Sequence, residues 1–242
     1  MPRAVVCLPT YNERENLERM VDALGAVLDV DRDRVLVIDD GSPDGTGAIA
    51  DRLADALPWV SVLHRATKEG LGPAYVAGFR RALGEGAELV LEMDCDFSHD
   101  PADVPRLIAA CTDGGADLAL GSRYVAGGGT VNWGRVRKLV SRGGSFYARV
   151  VLGVGVRDLT GGFKCFRRGA LEAVDLEDIA ARGYGFQIEG TYRVLRRGLT
   201  VVEVPIVFTD RRVGESKMTG SIVVEAMLQV PLLRWKTLRG RL

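Results

Sequence analysis

Several things this sequence has little of exclude whole classes. Its 242 residues contain only Cys7, Cys95, Cys111 and Cys165, scattered and without a Cys-x-x-Cys pair. That spacing speaks against a disulfide framework or a thiolate zinc site and suits reduced, cytosolic thiols. No apolar run approaches the roughly 20 residues a bilayer-spanning helix needs. The opening run, Ala4 to Leu8, is too short for the apolar centre of a signal peptide. Charge of one sign is missing too: 32 Lys and Arg balance 32 Asp and Glu, so no net field recommends nucleic acid as a partner. Neither Gly-x-Gly-x-x-Gly nor Gly-x-x-x-x-Gly-Lys-Ser/Thr follows the first apolar run, which removes the dinucleotide and P-loop readings. These features describe a cytosolic-type globular chain, long enough for one large domain or two small ones.

What is present is strand–helix alternation. Ala4–Leu8, Arg34–Ile38, Val60–Leu63, Leu89–Met93 and Asp117–Gly121 read as buried strands. Between them Leu17, Met20, Val21, Leu24 and Val27 recur at helical spacing, as do Ile49, Leu53 and Leu57, and then Val76, Phe79 and Leu83. Asn12 with Glu15 reads as a capping box for the first helix, and Asp100–Pro101 as the start of a helix to about Ala110. Such alternation predicts a covered, mostly parallel α/β sheet. The second half is less regular. Gly127–Gly129 reads as a mobile loop, either connector or lid, and Asp158–Lys164 as a glycine-marked turn. Phe186–Leu195 reads as a helix, and Thr200–Phe208 as a strand that Pro205 places at a sheet edge.

The strand ends carry acids: Glu13, then Asp39 and Asp40, then Asp94 and Asp96. In extended chain, Asp94 and Asp96 project to the same side. Open α/β sheets bind ligands at the carboxyl ends of their strands, and paired carboxylates there suit Mg²⁺ or Mn²⁺. An isolated Asp-x-Asp also reads as an acidic turn in a solvated loop. Arg135, Arg137, Lys138 and Arg142 load cations onto the start of a helix, opposite to what the macrodipole favours. That points to an anionic partner or to a solvated basic face. Ile222–Leu233 is apolar, followed by Arg234, Trp235, Lys236, Arg239 and Arg241. Such a tail reads either as an interfacial membrane helix or as a helix packed on the domain or a partner protein.

Taken together, the motifs resemble glycosyltransferase family 2, and within it the dolichol- or polyprenol-phosphate mannose synthases. The resemblance rests on Leu8-Pro9-Thr10-Tyr11-Asn12-Glu13, Ile38-Asp39-Asp40-Gly41-Ser42-Pro43-Asp44-Gly45-Thr46 and Met93-Asp94-Cys95-Asp96. It continues through Gly121-Ser122-Arg123-Tyr124, Arg137-Lys138-Leu139-Val140-Ser141-Arg142-Gly143, Asp158-Leu159-Thr160-Gly161-Gly162-Phe163 and Gly214-Glu215-Ser216-Lys217. It implies a GT-A fold over residues 1–217, with a donor half to about 123, an acceptor half from about 124, and an amphipathic basic tail at 218–242.

The resemblance further implies a GDP-mannose donor whose guanosine meets Pro9, Tyr11, Glu13, Ile38 and Asp40. The diphosphate and a Mg²⁺ or Mn²⁺ ion would meet Asp94, Cys95 and Asp96, with Ser98 where some relatives supply another metal ligand. Arg211 and Lys217 match cations that close over the donor phosphates. Arg123, Arg137 and Ser141 match an acceptor-phosphate pocket for a polyprenyl or dolichyl monophosphate. Asp96, Arg123, Arg211 and Lys217 are then the residues expected to carry catalysis, and Gln187 and Glu189 take a structural or orienting role. Cys95 stands where the motif commonly has alanine, and the membrane-spanning region of some relatives is absent. The expected location is therefore cytoplasmic and peripheral on the cytoplasmic face of a membrane, reached through the tail or a membrane-anchored partner. A UDP-glucose or other UDP-sugar donor, a catalytically silent nucleotide-sugar-binding subunit and a lipid-surface adaptor remain the alternatives.

Overall fold

The computed structural model describes residues 1–176, 184–210 and 220–240, the side chains of 184 and 220–226 aside. Strand β1 (Ala4–Thr10) pairs in parallel with β2 (Asp33–Asp39), and β2 with β3 (Val60–His64). On its other side β1 pairs in parallel with β4 (Leu89–Glu92). The full order is completed by β5 (Leu118–Ser122), β7 (Lys164–Arg167) and β8 (Val201–Pro205), giving β3-β2-β1-β4-β7-β5-β8. Among the described strands of this sheet only β7 is antiparallel, inserted between β4 and β5, while β8 pairs in parallel with β5 at the edge. The Asp158–Lys164 turn thus leads into a strand that period-two patterning does not mark, since all but the last of its four residues are buried.

Helices cover both faces. α1 (Leu17–Gly25), α2 (Thr46–Ala56) and α4 (Val104–Thr112) enclose one core with Val6, Leu8, Leu91 and Met93. α3 (Leu71–Gly84), α6 (Arg168–Ala173) and α7 (Tyr184–Arg196) enclose the other with Cys7, Ile38 and Val90. α3 lies so close to the sheet that a Cβ on Gly78 would sit 2.4 Å from Ile38 Cδ1. A third cluster joins α5 (Arg135–Leu152), α7 and α8 (Gly220–Leu238) through Leu152, Ile188, Tyr192, Val230 and Leu233.

Four local expectations change. Asn12 does not cap α1: it adopts a left-handed backbone (φ 59°) and its N–H donates to Ser42 Oγ, so the helix starts at Leu17 behind Asn16. The helix expected from Pro101 opens as a 3-10 turn, Pro101–Asp103, with Asp100 accepting from the Ala102 N–H, before α4. The expected strand Thr200–Phe208 breaks at Ile206 into β8 and β9 (Val207–Thr209). Gly127–Gly129, expected as a mobile loop, turns instead into β6 (Gly129–Val131), which pairs with β9. Gly128 presses on the preceding strand end, where a Cβ would lie 2.4 Å from the Ser122 carbonyl oxygen.

Candidate active site

From β1 the chain moves outward to β2 and β3, then returns to place β4 on the opposite side. The loops after β1 and β4 therefore diverge, opening the crevice where such sheets bind ligands. Thr10–Glu13 and Asp94–His99 stand at the carboxyl ends of these two strands, and Asp39 and Asp40 at that of β2.

Side chains hold the first of these loops against the loop after β2. The Glu13 N–H donates to Thr46 Oγ1 at 3.0 Å, and Asn16 Nδ2 donates to Glu13 Oε2 at 2.9 Å. Lys68 sits 3.7 Å from the Tyr11 ring centroid, a cation over the phenol face. Asp40 is paired with Arg65, which also binds Glu69. Burial pushes the Asp40 carboxyl up from its ordinary range, and the Arg65 charge opposes that shift. Pro9 and Ile38 are register partners beneath these loops.

After β4 the chain turns inward. Cys95, Asp96, Ser98 and His99 are buried, and the Ser98 N–H donates to Asp96 Oδ1 at 3.0 Å. Ser98 Oγ is buried with no hydrogen-bond partner among the described residues. Among the described residues no three His, Cys, Asp or Glu side chains gather to hold a metal by themselves. Two carboxylates and an unsatisfied hydroxyl fit an ion that draws its remaining ligands from substrate phosphates and water, as Mg²⁺ commonly does. His99 stacks on Phe163 at 4.9 Å and meets Phe208 edge-on at 5.1 Å. Burial, helped by the Arg123 charge, holds its imidazole down at about 4 against the pull of Asp96 and Asp158.

Phe208 leads to the second half of the site, its ring 5.2 Å from that of Trp133. Arg123 lies 5.5 Å from both ring centroids. Its guanidinium donates to both Asp158 carboxylate oxygens and to Thr160 Oγ1. Arg137 stacks 4.3 Å from the Trp133 centroid and donates to Asp210 Oδ1 at 2.6 Å. Ser141 accepts from Tyr124 Oη at 2.6 Å. The Thr209 N–H donates to the Ser98 carbonyl at 3.1 Å, tying this half to the loop after β4. Arg211 and Lys217 lie outside the described residues.

Gln187 and Glu189 are held elsewhere. Glu189 pairs with Arg193 one turn on. Gln187 accepts from Lys164 Nζ, which forms a buried ion pair with Glu92 at 3.0 Å, and Gln187 Nε2 donates to Glu92 Oε2 at 3.2 Å. Burial pushes Glu92 up and Lys164 down, and each charge opposes the other's shift. This network joins β4 to α7 directly behind the Asp94 strand end.

The tail helix packs on the domain through Val230 and Leu233, while Leu228, Leu232, Trp235 and Leu238 remain exposed. α5 runs beside it, with Tyr147 Oη donating to the Met227 carbonyl and Arg234 to that of Leu152. α5 exposes its own stripe, Val136, Leu139, Val140, Phe146 and Val150, among Arg135, Lys138 and Arg142. No described helix is long and apolar enough to cross a membrane. Reading α5 for its cations alone missed this stripe, although its spacing is helical. Arg65, Lys68, His99 and Trp133 were also missed; only a ring beside clustered arginines offered a signal, for Trp133.

A model of Glycosyl transferase family 2 matches residues 5–175. The chain is 49% identical over 245 residues to the undecaprenyl-phosphate mannosyltransferase of Micrococcus luteus, covering 99% of each. It is 49% identical over 241 residues to the polyprenol monophosphomannose synthase of Mycolicibacterium smegmatis, covering 99% of this chain and 89% of that one. Among solved structures it resembles glucosyl-3-phosphoglycerate synthase from Mycobacterium tuberculosis with Mn²⁺, UDP and glucosyl-3-phosphoglycerate. The TM-score is 0.72 at 24% identity, over 96% of this chain and 80% of that one. At that identity the likeness shows the fold alone, a GT-A type α/β sheet.

Proposed function

The chain belongs to glycosyltransferase family 2, and from that premise we propose that it transfers mannose from GDP-mannose to a polyprenyl monophosphate. The products are GDP and a β-linked polyprenyl-phosphate mannose. The observation that carries this reading is the junction of two half-sites. A carboxylate-bearing strand end and an arginine–aromatic pocket meet through the ring row His99–Phe208–Trp133.

On this reading Pro9, Tyr11, Glu13, Ile38 and Asp40 receive guanosine, with Lys68 and Arg65 bracing Tyr11 and Asp40. Asp94 and Asp96, with Ser98, would hold a Mg²⁺ or Mn²⁺ ion, and the Cys95 backbone would meet the nucleotide. When bound, that ion supplies Lewis-acid charge to the leaving diphosphate. Arg211 and Lys217 add fixed positive charge at the same phosphates, the kind of preorganised electrostatics that dominates such catalysis. Arg137 and Ser141 receive the acceptor phosphate. Arg123, its charge already shared with Asp158, shapes the pocket floor. A phosphate oxygen forms a bond to the anomeric carbon as the bond to the diphosphate oxygen breaks, and GDP leaves with the electron pair. The nucleophile is ionised at neutral pH, so no side-chain base is needed. The commitment of Gln187 and Glu189 to Lys164 and Arg193 agrees with that.

The same reading divides the chain into a donor half to about 123, an acceptor half to about 217 and a tail helix. It places the enzyme peripherally on the cytoplasmic face of a membrane. The exposed apolar stripes of α5 and α8, bordered by cations, rest on the lipid surface, since apolar faces flanked by Lys, Arg and Trp favour that boundary. The start of α5 then lies where a prenyl phosphate headgroup arrives. The test is turnover of purified protein with prenyl phosphate and GDP-mannose, UDP-glucose or UDP-N-acetylglucosamine, with and without chelator. Mannosyl transfer from GDP-mannose alone, abolished by chelator, is expected. Transfer only from a UDP-sugar, or none, defeats the reading.

A further inference from the structure

We propose that Trp133 is a phosphate-binding residue of the acceptor site, its indole N–H donating to the lipid monophosphate beside Arg137. This rests on the function proposed above. Trp133 is 8% exposed, and its Nε1 has no hydrogen-bond partner among the described residues. A buried N–H without an acceptor is costly, and native structures leave few of them. Arg137 Nε, on the guanidinium stacked over this indole, is likewise buried and without a partner. Among the described residues, the acceptor on that guanidinium is Asp210, which takes Nη1.

The position favours an anion. Trp133 immediately precedes Gly134, the N-cap of the 18-residue helix α5, and that end has no side-chain cap. Uncapped first-turn N–H groups and the positive end of the helix dipole attract phosphate. Stacking occupies the faces of the ring and the guanidinium, while their N–H groups lie in-plane and stay available at the edges. Both unsatisfied atoms are donors, so the missing ligand must bring acceptor oxygens. The indole also adds a donor without adding another charge beside Arg123 and Arg137.

Trp133→Phe keeps the ring and removes the N–H. Calorimetric titration with farnesyl phosphate and, separately, with GDP reads the effect. The variant is expected to bind farnesyl phosphate about tenfold more weakly, as for a lost hydrogen bond to a charged group, with GDP affinity unchanged. Its KM for the lipid should rise while kcat changes little. Trp133→Ala, which also frees the Arg137 side chain, should weaken the lipid phosphate further. Unchanged farnesyl phosphate affinity in Trp133→Phe overturns the proposal, and so does equal weakening of both ligands, which marks a structural role. If wild-type protein binds farnesyl phosphate but transfers no mannose to it, the proposed function fails while the titration still judges Trp133.

Discussion

Arg123 and Asp158 form a buried, two-pronged ion pair, Nε to Oδ2 at 2.7 Å and Nη2 to Oδ1 at 2.6 Å. The Arg123 backbone N–H donates to the same carboxylate at 2.9 Å. One acid thus fixes both the side chain and the main chain at the end of β5. Removing one partner of such a pair leaves a buried charge, which costs about 3–5 kcal/mol. Asp158→Ala should destabilise the fold by about that much in urea unfolding, and adding Arg123→Leu should recover part of the loss. A single variant within experimental error of wild type would show that the pair is not what holds this corner.

Asp96→Asn keeps the shape and the bond to the Ser98 N–H but removes a charge. It should lower kcat about a hundredfold, the scale on which losing one electrostatic element acts. Its melting temperature should stay close to wild type. Near-normal turnover would remove Asp96 from the reaction.

Arg137→Ala should raise the KM for prenyl phosphate about tenfold or more while leaving that for GDP-mannose nearly unchanged, because a charge-assisted contact is lost on one substrate only. Equal effects on both would move Arg137 out of the acceptor pocket.

Phe146→Ser with Trp235→Ser removes apolar area from the outward stripes of α5 and α8. Sedimentation with anionic phospholipid vesicles should fall several-fold, since binding follows buried apolar area. Turnover of a short, water-soluble prenyl phosphate should hold. Undiminished vesicle binding would leave those faces for another partner.

His64 tests the support of the donor side. Its Nε2 lies 2.8 Å from Asp51 and its Nδ1 3.6 Å from Asp39, and these carboxylates raise its pKa above the ordinary 6.5. The folded state therefore holds the proton more tightly. The added stability is complete below the unfolded value and is lost as pH rises through the raised folded value. Wild type should gain stability over His64→Asn in urea at about pH 5.5 and lose that gain by about pH 8.5. A difference independent of pH would contradict this.

Much of the framework is legible without coordinates. The strands Ala4–Leu8 and Leu89–Met93 are short apolar runs ended by turn residues, so hydrophobic patterning finds them. The acids after them follow as local sequence facts. Partnerships are a different matter. Asp158 stands 35 residues from Arg123, and Lys164 stands 72 from Glu92. Nothing local distinguishes an arginine bound for phosphate from one bound for a buried carboxylate. Strand β7 was hidden for a related reason: buried on both sides, it carries no alternation.

By itself the sequence determined the alternating elements, the acidic strand ends and the basic start of α5, because helix and strand periods and turn chemistry act over a few neighbours. The tertiary structure alone decided which charges are already paired, which buried donors lack acceptors, and that α5 and α8 turn apolar stripes outward together. Those outcomes depend on which distant side chains share one low-dielectric space. That sharing is created by packing and is written in no short stretch of chain.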